Sequence, residues 1–347
     1  MPRFIPCAAT VLAVTAFVSA PVFATPTITP FNPLPGGSRN VQSDSINSSG
    51  DVAGDFLVGN SYMSFVRAAD GTITTFDVPG AGSGEDQGTF ASGINALGTI
   101  TGYYADSHGR AHGFVRNPDG TIVPFKVPGA KYGTWGSGIN AKGEITGSYT
   151  DGHIVYHGFL RNAGGRITTF DPADSSSTLP TSINNSGAIV GYFQPGNNAY
   201  IGFVRALDGT IATFSVVDGA KGTLPSSINN KGAITGSYVD SDGVYHGFVR
   251  AVDGTIATFD VPGGVGGCEA FGINDAGAIT GVANEKNGAY RGFVRSPGGK
   301  FEIFSASDTG HGSNQGTLGY AINDSSTITG SYETNTATGS FGYVRTH

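Results

Sequence analysis

The side chains whose chemistry could serve catalysis are a few acids and one histidine in segments of irregular sequence. Glu85, Asp86, Glu269 and His311 are the candidate acids and bases. A glycosidase needs two carboxyl groups about 5 Å or about 7–9 Å apart, and a polysaccharide lyase needs a base beside an acidic sugar. Distances across a folded chain do not follow from sequence spacing, so these four residues are candidates without assigned roles.

A second set of side chains has the composition of a binding site. Lys131, Tyr132 and Trp135 lie in one short segment, and Asp106 and His108 lie in another. Trp135 is the one tryptophan of the sequence. Aromatic faces stack on sugar rings, and carboxylates accept hydrogen bonds from hydroxyl groups. We expect these five residues to bind a ligand, and carbohydrate fits their chemistry.

One short acidic segment is similar to the start of a calcium-binding loop. Asp240 and Asp242 alternate with Ser241 and precede Gly243, and oxygen ligands of Ca²⁺ alternate in the same way. The segment lacks the terminal bidentate glutamate, so a hairpin turn is the first interpretation and a calcium site is the alternative. No other cofactor is expected, because the sequence contains no P-loop, H-E-x-x-H or C-x-x-C motif.

These candidates lie between copies of a repeated pattern of about 45 residues. An Ile-Asn pair recurs seven times, with its asparagine at Asn47, Asn95, Asn140, Asn184, Asn229, Asn274 and Asn323. A Gly-Phe-Val-Arg segment, or a close variant, follows each pair, with its arginine at Arg67, Arg116, Arg161, Arg205, Arg250, Arg295 and Arg345. Periods of this length are typical of propellers and other repeat architectures.

Each copy divides into four short predicted strands, which we label A to D. In the fifth copy they are TLPSSIN, AITGSYV, YHGFVRA and TIATFDV. An N-x-x-G turn joins A to B, and an Asp-Gly turn, the strongest short hairpin signal, joins C to D. The sequence therefore predicts an all-β fold over residues 25–347, a seven-bladed β-propeller with four antiparallel strands per blade.

The two ends of the chain favour a closed ring. The seventh copy stops after strand C at Arg345, and residues 27–33 match a strand D. We expect residues 27–33 to pair with residues 341–346, so that the N-terminal strand completes the last blade. A β-solenoid would not need this complementation, and separate domains of about 45 residues would bury too little surface.

Residues that recur in every copy are predicted to be structural, because one chain does not need seven active sites. We expect each asparagine to cap the A–B turn and the phenylalanines of strands C and D to fill the core. The arginine ending strand C is expected to pair with an Asp ending strand D, as in Arg250 and Asp260, with a polyanion site as the alternative. Three histidines precede the strand-C glycine on separate copies, too far apart for one metal ion: His112, His157 and His246.

Function is expected where the copies differ from one another. The D–A and B–C loops vary in length and sequence and open on one face, and variable loops on a rigid scaffold commonly carry binding sites. Three hypotheses follow. The protein binds an extracellular carbohydrate or protein at this face, or it cleaves a polysaccharide as a hydrolase or lyase, or it is a protein-interaction scaffold.

The first 24 residues have the features of a signal peptide. Arg3 precedes an apolar run, and Val22-Phe23-Ala24 offers small residues for cleavage. We therefore expect a secreted or periplasmic protein that is monomeric and has no membrane contact after cleavage. The net charge is −7, and lysines and arginines are sparse, which argues against nucleic acid as a partner.

The repeated pattern also resembles a known family. The I-N-x-x-G segment followed by H-G-F-V-R, as in the fifth copy, is similar to the HAF-type extracellular repeats of bacteria, with Gly where the family name has Ala. The resemblance covers residues 27–345. It implies a secreted β-propeller and carries no catalytic residue over to this sequence.

Overall fold

The computed structural model describes residues 26–34, 36, 38–196, 199–217, 220–334 and 339–346. The predicted signal peptide, residues 1–24, lies outside these ranges. The described residues form twenty-eight β-strands, and among them there is no helix with the length and apolar character needed to cross a membrane. The prediction of an all-β fold is confirmed.

The strands occupy the four predicted positions of the repeat. Position A holds β2 (Ser38–Ile46), β6 (Gln87–Ile94), β10 (Gly133–Ile139), β14 (Ser175–Ile183), β18 (Gly222–Ile228), β22 (Cys268–Ile273) and β26 (Thr317–Ile322). Position B holds β3 (Val52–Val58), β7 (Ile100–Ala105), β11 (Ile145–Thr150), β15 (Ile189–Pro195), β19 (Ile234–Val239), β23 (Ile279–Asn284) and β27 (Ile328–Glu333).

The other two positions complete the set. Position C holds β4 (Ser61–Arg67), β8 (Ala111–Arg116), β12 (Tyr156–Arg161), β16 (Ile201–Arg205), β20 (Tyr245–Arg250), β24 (Tyr290–Arg295) and β28 (Ser340–Thr346). Position D holds β1 (Thr27–Phe31), β5 (Ile73–Phe76), β9 (Ile122–Phe125), β13 (Ile167–Phe170), β17 (Ile211–Phe214), β21 (Ile256–Phe259) and β25 (Phe301–Phe304).

Local sequence explains the shape of each copy, and the fifth copy is an example. Ile234 of strand B and Phe248 of strand C are fully buried and pack in one hydrophobic cluster. In the C–D turn, Gly254 has a φ of 93°, a conformation that favours glycine. The Asp253 carboxylate accepts a hydrogen bond from the Thr255 amide at 2.9 Å. These contacts form the predicted Asp-Gly hairpin.

Hydrogen bonding groups the strands into five sheets. Four sheets hold four antiparallel strands each, and the fifth holds the twelve strands β2 to β13. Within the fifth sheet, short parallel pairings of β4 with β6 and of β8 with β10 join antiparallel runs of four strands. The same parallel contact reappears between separate sheets, as bridges from Tyr200 to Gly222 and from Tyr290 to Gly316. The twelve-stranded sheet therefore contains the same four-strand unit as the others.

The first strand closes the last sheet. β1 pairs antiparallel with β28, from Thr27 opposite Thr346 to Phe31 opposite Gly342. The Phe31 ring packs edge-on against Phe65 of the first copy, with centroids 5.6 Å apart. The predicted pairing of the two chain ends is confirmed, and Phe31 links that junction to the first repeat.

A closed circle of hydrogen bonds runs through the repeated asparagines. In six of the turns the Oδ1 atom accepts from the amides two and four residues later, at 3.0 and 2.9 Å for Asn47, and Asn274 accepts from the amide four residues later. These bonds confirm the predicted cap. Each Nδ2 group donates to the backbone carbonyl of the next asparagine at 2.9–3.2 Å, in the order Asn47, Asn95, Asn140, Asn184, Asn229, Asn274, Asn323 and back to Asn47. The second set of bonds, between copies, was not predicted.

Phenylalanines and arginines fill the space between copies. Strand-C phenylalanines such as Phe248 are fully buried. The arginine that ends each strand C lies over the strand-D phenylalanine of the preceding copy, at 4.8–5.3 Å from the ring centroid. The expected pair of Arg250 with Asp260 is wrong, because Arg250 lies over Phe214 and Asp260 bonds His246. A cation over an aromatic face holds adjacent copies together.

Candidate functional site

A cavity of about 500 Å³ lies between the first two copies of the repeat. It is lined from β2, β3 and β4 of the first copy, from β6 and β7 of the second, and from the D–A loop between β5 and β6. The lining residues are Gln42, Asp44, Asp55, Tyr62, Asp86, Phe90, Ala91, Ser92 and Tyr103. We call it the acid–aromatic cavity, because three carboxylates and three aromatic rings form most of its wall.

Two of the carboxylates project from adjacent strands. Asp44 lies on β2, two residues before the Ile46 of the repeat, and Asp55 follows Gly54 on β3, opposite Gln42 in the strand pair. Asp55 is 6% exposed. Among the described residues, no group donates a hydrogen bond or forms an ion pair to the Asp55 side chain. A buried carboxylate without such a partner is costly in its charged form.

The protein surroundings shift the acidity of this pair. Burial raises the pKa of Asp44 to about 7. Burial, together with the charge of Asp44, raises the pKa of Asp55 well above its usual range. Two carboxyl groups that interact this strongly titrate as one unit. The pair therefore holds a proton near neutral pH, although each group alone would be ionised in water.

Tyr103 shows that the third carboxylate faces the same space. Burial and then the charges of Asp55, Asp44 and Tyr62 raise the pKa of Tyr103 to about 12, with a smaller contribution from Asp86. Asp86 has a positive φ of 56°, a left-handed conformation that is uncommon outside glycine and most readily tolerated by Asn and Asp. This turn in the D–A loop places the Asp86 side chain at the cavity.

An array of aromatic rings forms the opposite wall. Phe90 lies 4.7 Å from Tyr62 and 4.7 Å from Tyr103 between ring centroids, and the Phe90 and Tyr103 planes are stacked at 11°. Tyr103 meets the edge of Trp135 at 6.4 Å, and Trp135 contacts Tyr156 at 5.5 Å. The array extends the wall from the first copy to the third. Aromatic walls of this kind offer flat apolar faces to a ligand.

The cavity adjoins a second space that is lined by all seven position-A strands and that we call the channel. Asp44 and Ser92 line both spaces, and the other position-A strands surround the channel, which has a volume of about 220 Å³. Tyr320 lies on the channel wall, and its pKa is raised by burial and by the charges of Asp44, Glu333, Asp55 and Glu269. Negative charge therefore accumulates on this side of the channel.

The four predicted acids and bases occupy different places. Asp86 lines the acid–aromatic cavity, whereas the exposed neighbour Glu85 does not. Glu269 lies on β22, where burial raises its pKa, and its charge acts on Tyr320 in the channel. His311 lies exposed between β25 and β26, and its backbone carbonyl accepts a hydrogen bond from the Asn287 amide at 2.9 Å.

The predicted binding residues are also divided. Trp135 belongs to the aromatic array, whereas Lys131 and Tyr132 lie exposed before β10, with Tyr132 50% exposed. Asp106 begins the β7–β8 turn and accepts from the amides of His108 and Arg110 at 2.8 and 3.0 Å. Burial opposes ionisation of Asp106. A hydrogen bond with the His112 ring and, with smaller effects, the two bonds from the amides outweigh burial and lower the pKa of Asp106 to about 2. The side chain of His108 is exposed in this turn.

The predicted calcium segment forms a hydrogen-bonded turn. Asp240 accepts from the amides of Asp242 and Val244 at 2.9 and 2.8 Å, and its other oxygen lies 3.1 Å from the His246 ring. Asp242 is exposed. Across the described ranges, no three His, Cys, Asp or Glu side chains are placed to hold one metal ion. The contacts of Asp240 are those of the hairpin turn that was the first interpretation.

Comparison with known proteins addresses the fold. No family model and no curated protein matches this chain. Streptogramin B lyase superposes with a TM-score of 0.62, at 15% identity over 92% of this chain and 97% of that one. A catalytically inactive virginiamycin B lyase from Staphylococcus aureus, with quinupristin, superposes with a TM-score of 0.61. The two chains are 14% identical, and the match covers 92% of this chain and 99% of that one. Pyrococcus horikoshii acylaminoacyl peptidase superposes with a TM-score of 0.57 at 12% identity, and the match covers 88% of this chain and 51% of that one.

The chain is a β-propeller. Identities this low show the fold alone, so the propeller's chemistry has to be argued from its own residues. Asp44, Asp55, Tyr62, Phe90 and Tyr103 were all missed by the sequence reasoning. For Asp44 and Asp55 the signal that could have found them is departure from the repeat, whereas Tyr62 shares its position with tyrosines of four other copies, Tyr156, Tyr200, Tyr245 and Tyr290. At the position of Asp55 the other copies of the propeller have Tyr103, Ser148, Tyr192, Ser237, Val282 and Ser331.

Proposed function

We propose that this protein is a seven-bladed β-propeller that binds a carbohydrate in the acid–aromatic cavity. The observation that carries the proposal is the stacked pair of Phe90 and Tyr103 facing Asp44, Asp55 and Asp86. Sugar rings have apolar faces that pack on aromatic rings and hydroxyl groups that bond carboxyl oxygens. A concave site with few polar groups on a largely preformed wall is typical of small-ligand binding.

The count of seven blades rests on the four-strand unit. The twelve-stranded sheet contains three such units and the other four sheets contain one each. The circle of seven asparagine hydrogen bonds supports the same count, because each bond joins one unit to the next and the last returns to the first.

We infer that the protein acts outside the cytoplasm. The proposal rests on the signal peptide expected in residues 1–24 and on the resemblance to HAF-type repeats. Polysaccharides and glycoconjugates are abundant ligands there. Expression of the full chain in a bacterial host, followed by mass spectrometry of the exported protein, tests the cleavage expected before Thr25. An intact N-terminus in the cytoplasmic fraction would remove this part of the proposal.

Trp135 supplies a direct assay for carbohydrate binding. It is the one tryptophan of the sequence, and it touches Tyr103 of the cavity wall. We expect Trp135 fluorescence to change as a bound oligosaccharide fills the cavity. A panel of neutral, acidic and amino oligosaccharides is titrated in this assay, and binding is confirmed by calorimetry. No response to any member of the panel would contradict the proposal.

A matched pair of variants locates the site. Tyr62 and Tyr245 occupy the same position of strand C, five residues before its arginine, and both are half-buried. Tyr62 lines the cavity and Tyr245 does not. We expect Tyr62→Ala to weaken oligosaccharide binding about tenfold, the effect of losing one aromatic contact of about 1–1.5 kcal/mol. Tyr245→Ala is expected to bind as the wild type does.

The second candidate function is acid–base cleavage of the bound sugar. The observation that favours it is the pKa of Asp44, raised by burial to about 7, where a carboxyl group can donate or accept a proton near neutral pH. Incubation with the same oligosaccharides, followed by mass spectrometry of the products, separates the two functions. Products that form with the wild type and not with Asp44→Asn would assign cleavage, and unchanged ligands would leave binding alone. Capture of a protein without any sugar response would favour the scaffold hypothesis.

A further inference from the structure

Every ionisable group that lines the acid–aromatic cavity, within the described part of the chain, is an acid. The carboxyl groups are Asp44, Asp55 and Asp86, and the phenols are Tyr62 and Tyr103. The strands that line the cavity carry two cationic side chains, Arg39 at the exposed start of β2 and Arg67 at the end of β4. Arg67 lies over the Phe31 ring, and neither arginine lines the cavity. The charge of the pocket therefore has one sign.

Asp55 is the least compensated of these groups. Its side chain is more than nine-tenths buried, it lines the cavity, and no described residue donates a hydrogen bond to it. The neighbouring acid Asp44 makes ionisation of Asp55 harder still, because like charges repel at short range. A cation in the cavity would offset both the burial of the Asp55 charge and its repulsion by Asp44. The protein itself supplies no such cation at this place among its described residues.

The wall favours an organic cation over a metal ion. Metal ions such as Ca²⁺ need six or more oxygen ligands around one point, and no three acidic side chains of the described chain are placed to hold one ion. The stacked faces of Phe90 and Tyr103 provide a surface instead. Aromatic faces attract ammonium groups through their quadrupole, and the attraction grows when the pair is shielded from water.

We propose that the ligand of the acid–aromatic cavity is an amino sugar with a free ammonium group, held by Asp55 and Asp44 against the aromatic wall. This proposal rests on the carbohydrate function argued above and names the class of sugar. The sugar ring packs on Phe90 and Tyr103, and its ammonium group donates hydrogen bonds to the carboxylates. Hydrogen bonds between charged groups are about twice as strong as neutral ones.

Binding of a cation should be coupled to release of a proton. The ionisable groups that line the cavity with Asp55 are Asp44, Asp86, Tyr62 and Tyr103, and Tyr320 of β26 also lies within range of the Asp55 charge. All of them are acids, so the pair holds a proton in the free protein. An ammonium group favours the ionised form of both carboxylates and displaces that proton into the buffer. A neutral sugar does not favour the ionised form of the carboxylates, so it should bind without releasing the proton. Proton release therefore separates recognition of an ammonium group from recognition of the sugar ring alone.

The experiment compares two trisaccharides that differ in charge at the amine. N-acetylated chitotriose is neutral, and the fully deacetylated glucosamine trimer carries ammonium groups. Calorimetry is done at about pH 6, where amines are protonated, in two buffers with different ionisation enthalpies. We expect the deacetylated trimer to bind at least about tenfold more tightly and to release about one proton. Asp55→Asn should remove that advantage and the proton release.

Controls make each outcome informative. Asp242→Asn removes one exposed carboxylate of the β19–β20 turn and should change neither quantity. Tighter binding of the N-acetylated trimer, or equal binding without proton release, would overturn the amino-sugar proposal and leave carbohydrate binding intact. No binding of either trimer, nor of any other sugar in the panel, would contradict the proposed function as well. Competition by calcium chloride at millimolar concentration would assign the acids to a metal ion instead. Proton release by the wild type is measurable even if Asp55→Asn does not fold.

Discussion

The side-chain amide of Asn323 donates a hydrogen bond to the backbone carbonyl of Asn47 at 3.0 Å, across 276 residues of sequence. The same bond joins every other consecutive pair of these asparagines over 44 to 49 residues. The Asn323–Asn47 bond is therefore the step that turns a chain of repeats into a closed circle. Each asparagine is 3–6% exposed, so an unmade bond would leave a buried polar group unsatisfied.

Replacement of one circle asparagine should destabilise the fold. Asn323→Ala removes the bond to Asn47 and the two bonds that Oδ1 accepts from Ser325 and Thr327. We expect the free energy of unfolding to fall by about 2–4 kcal/mol, at about 1 kcal/mol for each buried bond and its unsatisfied partner. Urea unfolding followed by circular dichroism measures it. Asn117→Ala, in a C–D turn, is the control and should cost less than about 1 kcal/mol.

Loss of the N-terminal strand should weaken the junction of the chain ends. A chain that begins at Leu34 lacks β1, the five residues that pair with β28, and leaves the β28 edge unpaired. It also lacks the ring of Phe31 below Arg67. We expect a melting temperature at least several degrees lower than that of a chain beginning at Thr25. An unchanged melting temperature would show that β1 does not close the ring.

The buried acids predict an unusual dependence of stability on pH. The folded protein holds protons on Asp44 and Asp55 that the unfolded chain, with a carboxyl pKa of 3.8, releases. Stability from these groups is fully present below about pH 4 and is lost as pH rises toward the raised pKa, about 7 for Asp44. The loss approaches about 1.4 kcal/mol per pH unit for each carboxyl group. Urea unfolding between pH 5 and 8 measures the slope.

Asp55→Asn provides the comparison for that slope. The amide has the shape of the protonated acid and does not ionise, so the variant should be less sensitive to pH and more stable than the wild type at pH 8. The pKa of Asp106 is lowered to about 2, so its contribution to stability is lost only below about pH 4. Asp106 therefore does not affect the slope measured between pH 5 and 8. A variant that is less stable than the wild type at pH 8 would mean that the Asp55 charge is compensated.

His246 should keep its proton above its ordinary pKa. The ring lies 2.6 Å from Asp260 and 3.1 Å from Asp240, and a neutral imidazole has only one N–H to donate to two carboxylates. Burial opposes the charge, but these hydrogen bonds raise the pKa of His246. The stability it adds is present below pH 6.5 and is lost as pH rises through the raised value. Titration by NMR should show a lower pKa in Asp240→Asn, and a smaller change in Asp242→Asn, which removes no bond to the ring.

The repeat made much of the fold predictable. The Ile-Asn and Gly-Phe-Val-Arg markers fixed four strands per copy, and the unmatched strand at residues 27–33 predicted the pairing of β1 with β28. These features depend on local turn chemistry and on strand order, which the sequence records directly. The stacking of Arg250 over Phe214 was not predictable in the same way. It joins residues of different copies and depends on the angle between adjacent sheets.

The candidate site was predictable only in part. Asp86 and Trp135 were selected because the sequence assigned them to loops that differ from the other copies. Asp86 does lie in a loop and lines the acid–aromatic cavity, whereas Trp135 lies on β10 and contacts Tyr103 of the cavity wall. Tyr103 and Phe90 were overlooked because they sit inside regular strands. Asp55 was overlooked for the same reason, although it breaks the pattern of strand B.

The sequence alone determined the repeat, the strands, the turns and the partner of the first strand, because each depends on residues close together or on a copied pattern. Only the tertiary structure decided that Asp44 and Asp55 share one cavity with Asp86 and an aromatic wall. Burial and the distance between charges set the acidity of a carboxyl group. Both depend on how strands that are distant in the sequence pack against one another, so neither can be read from the sequence alone.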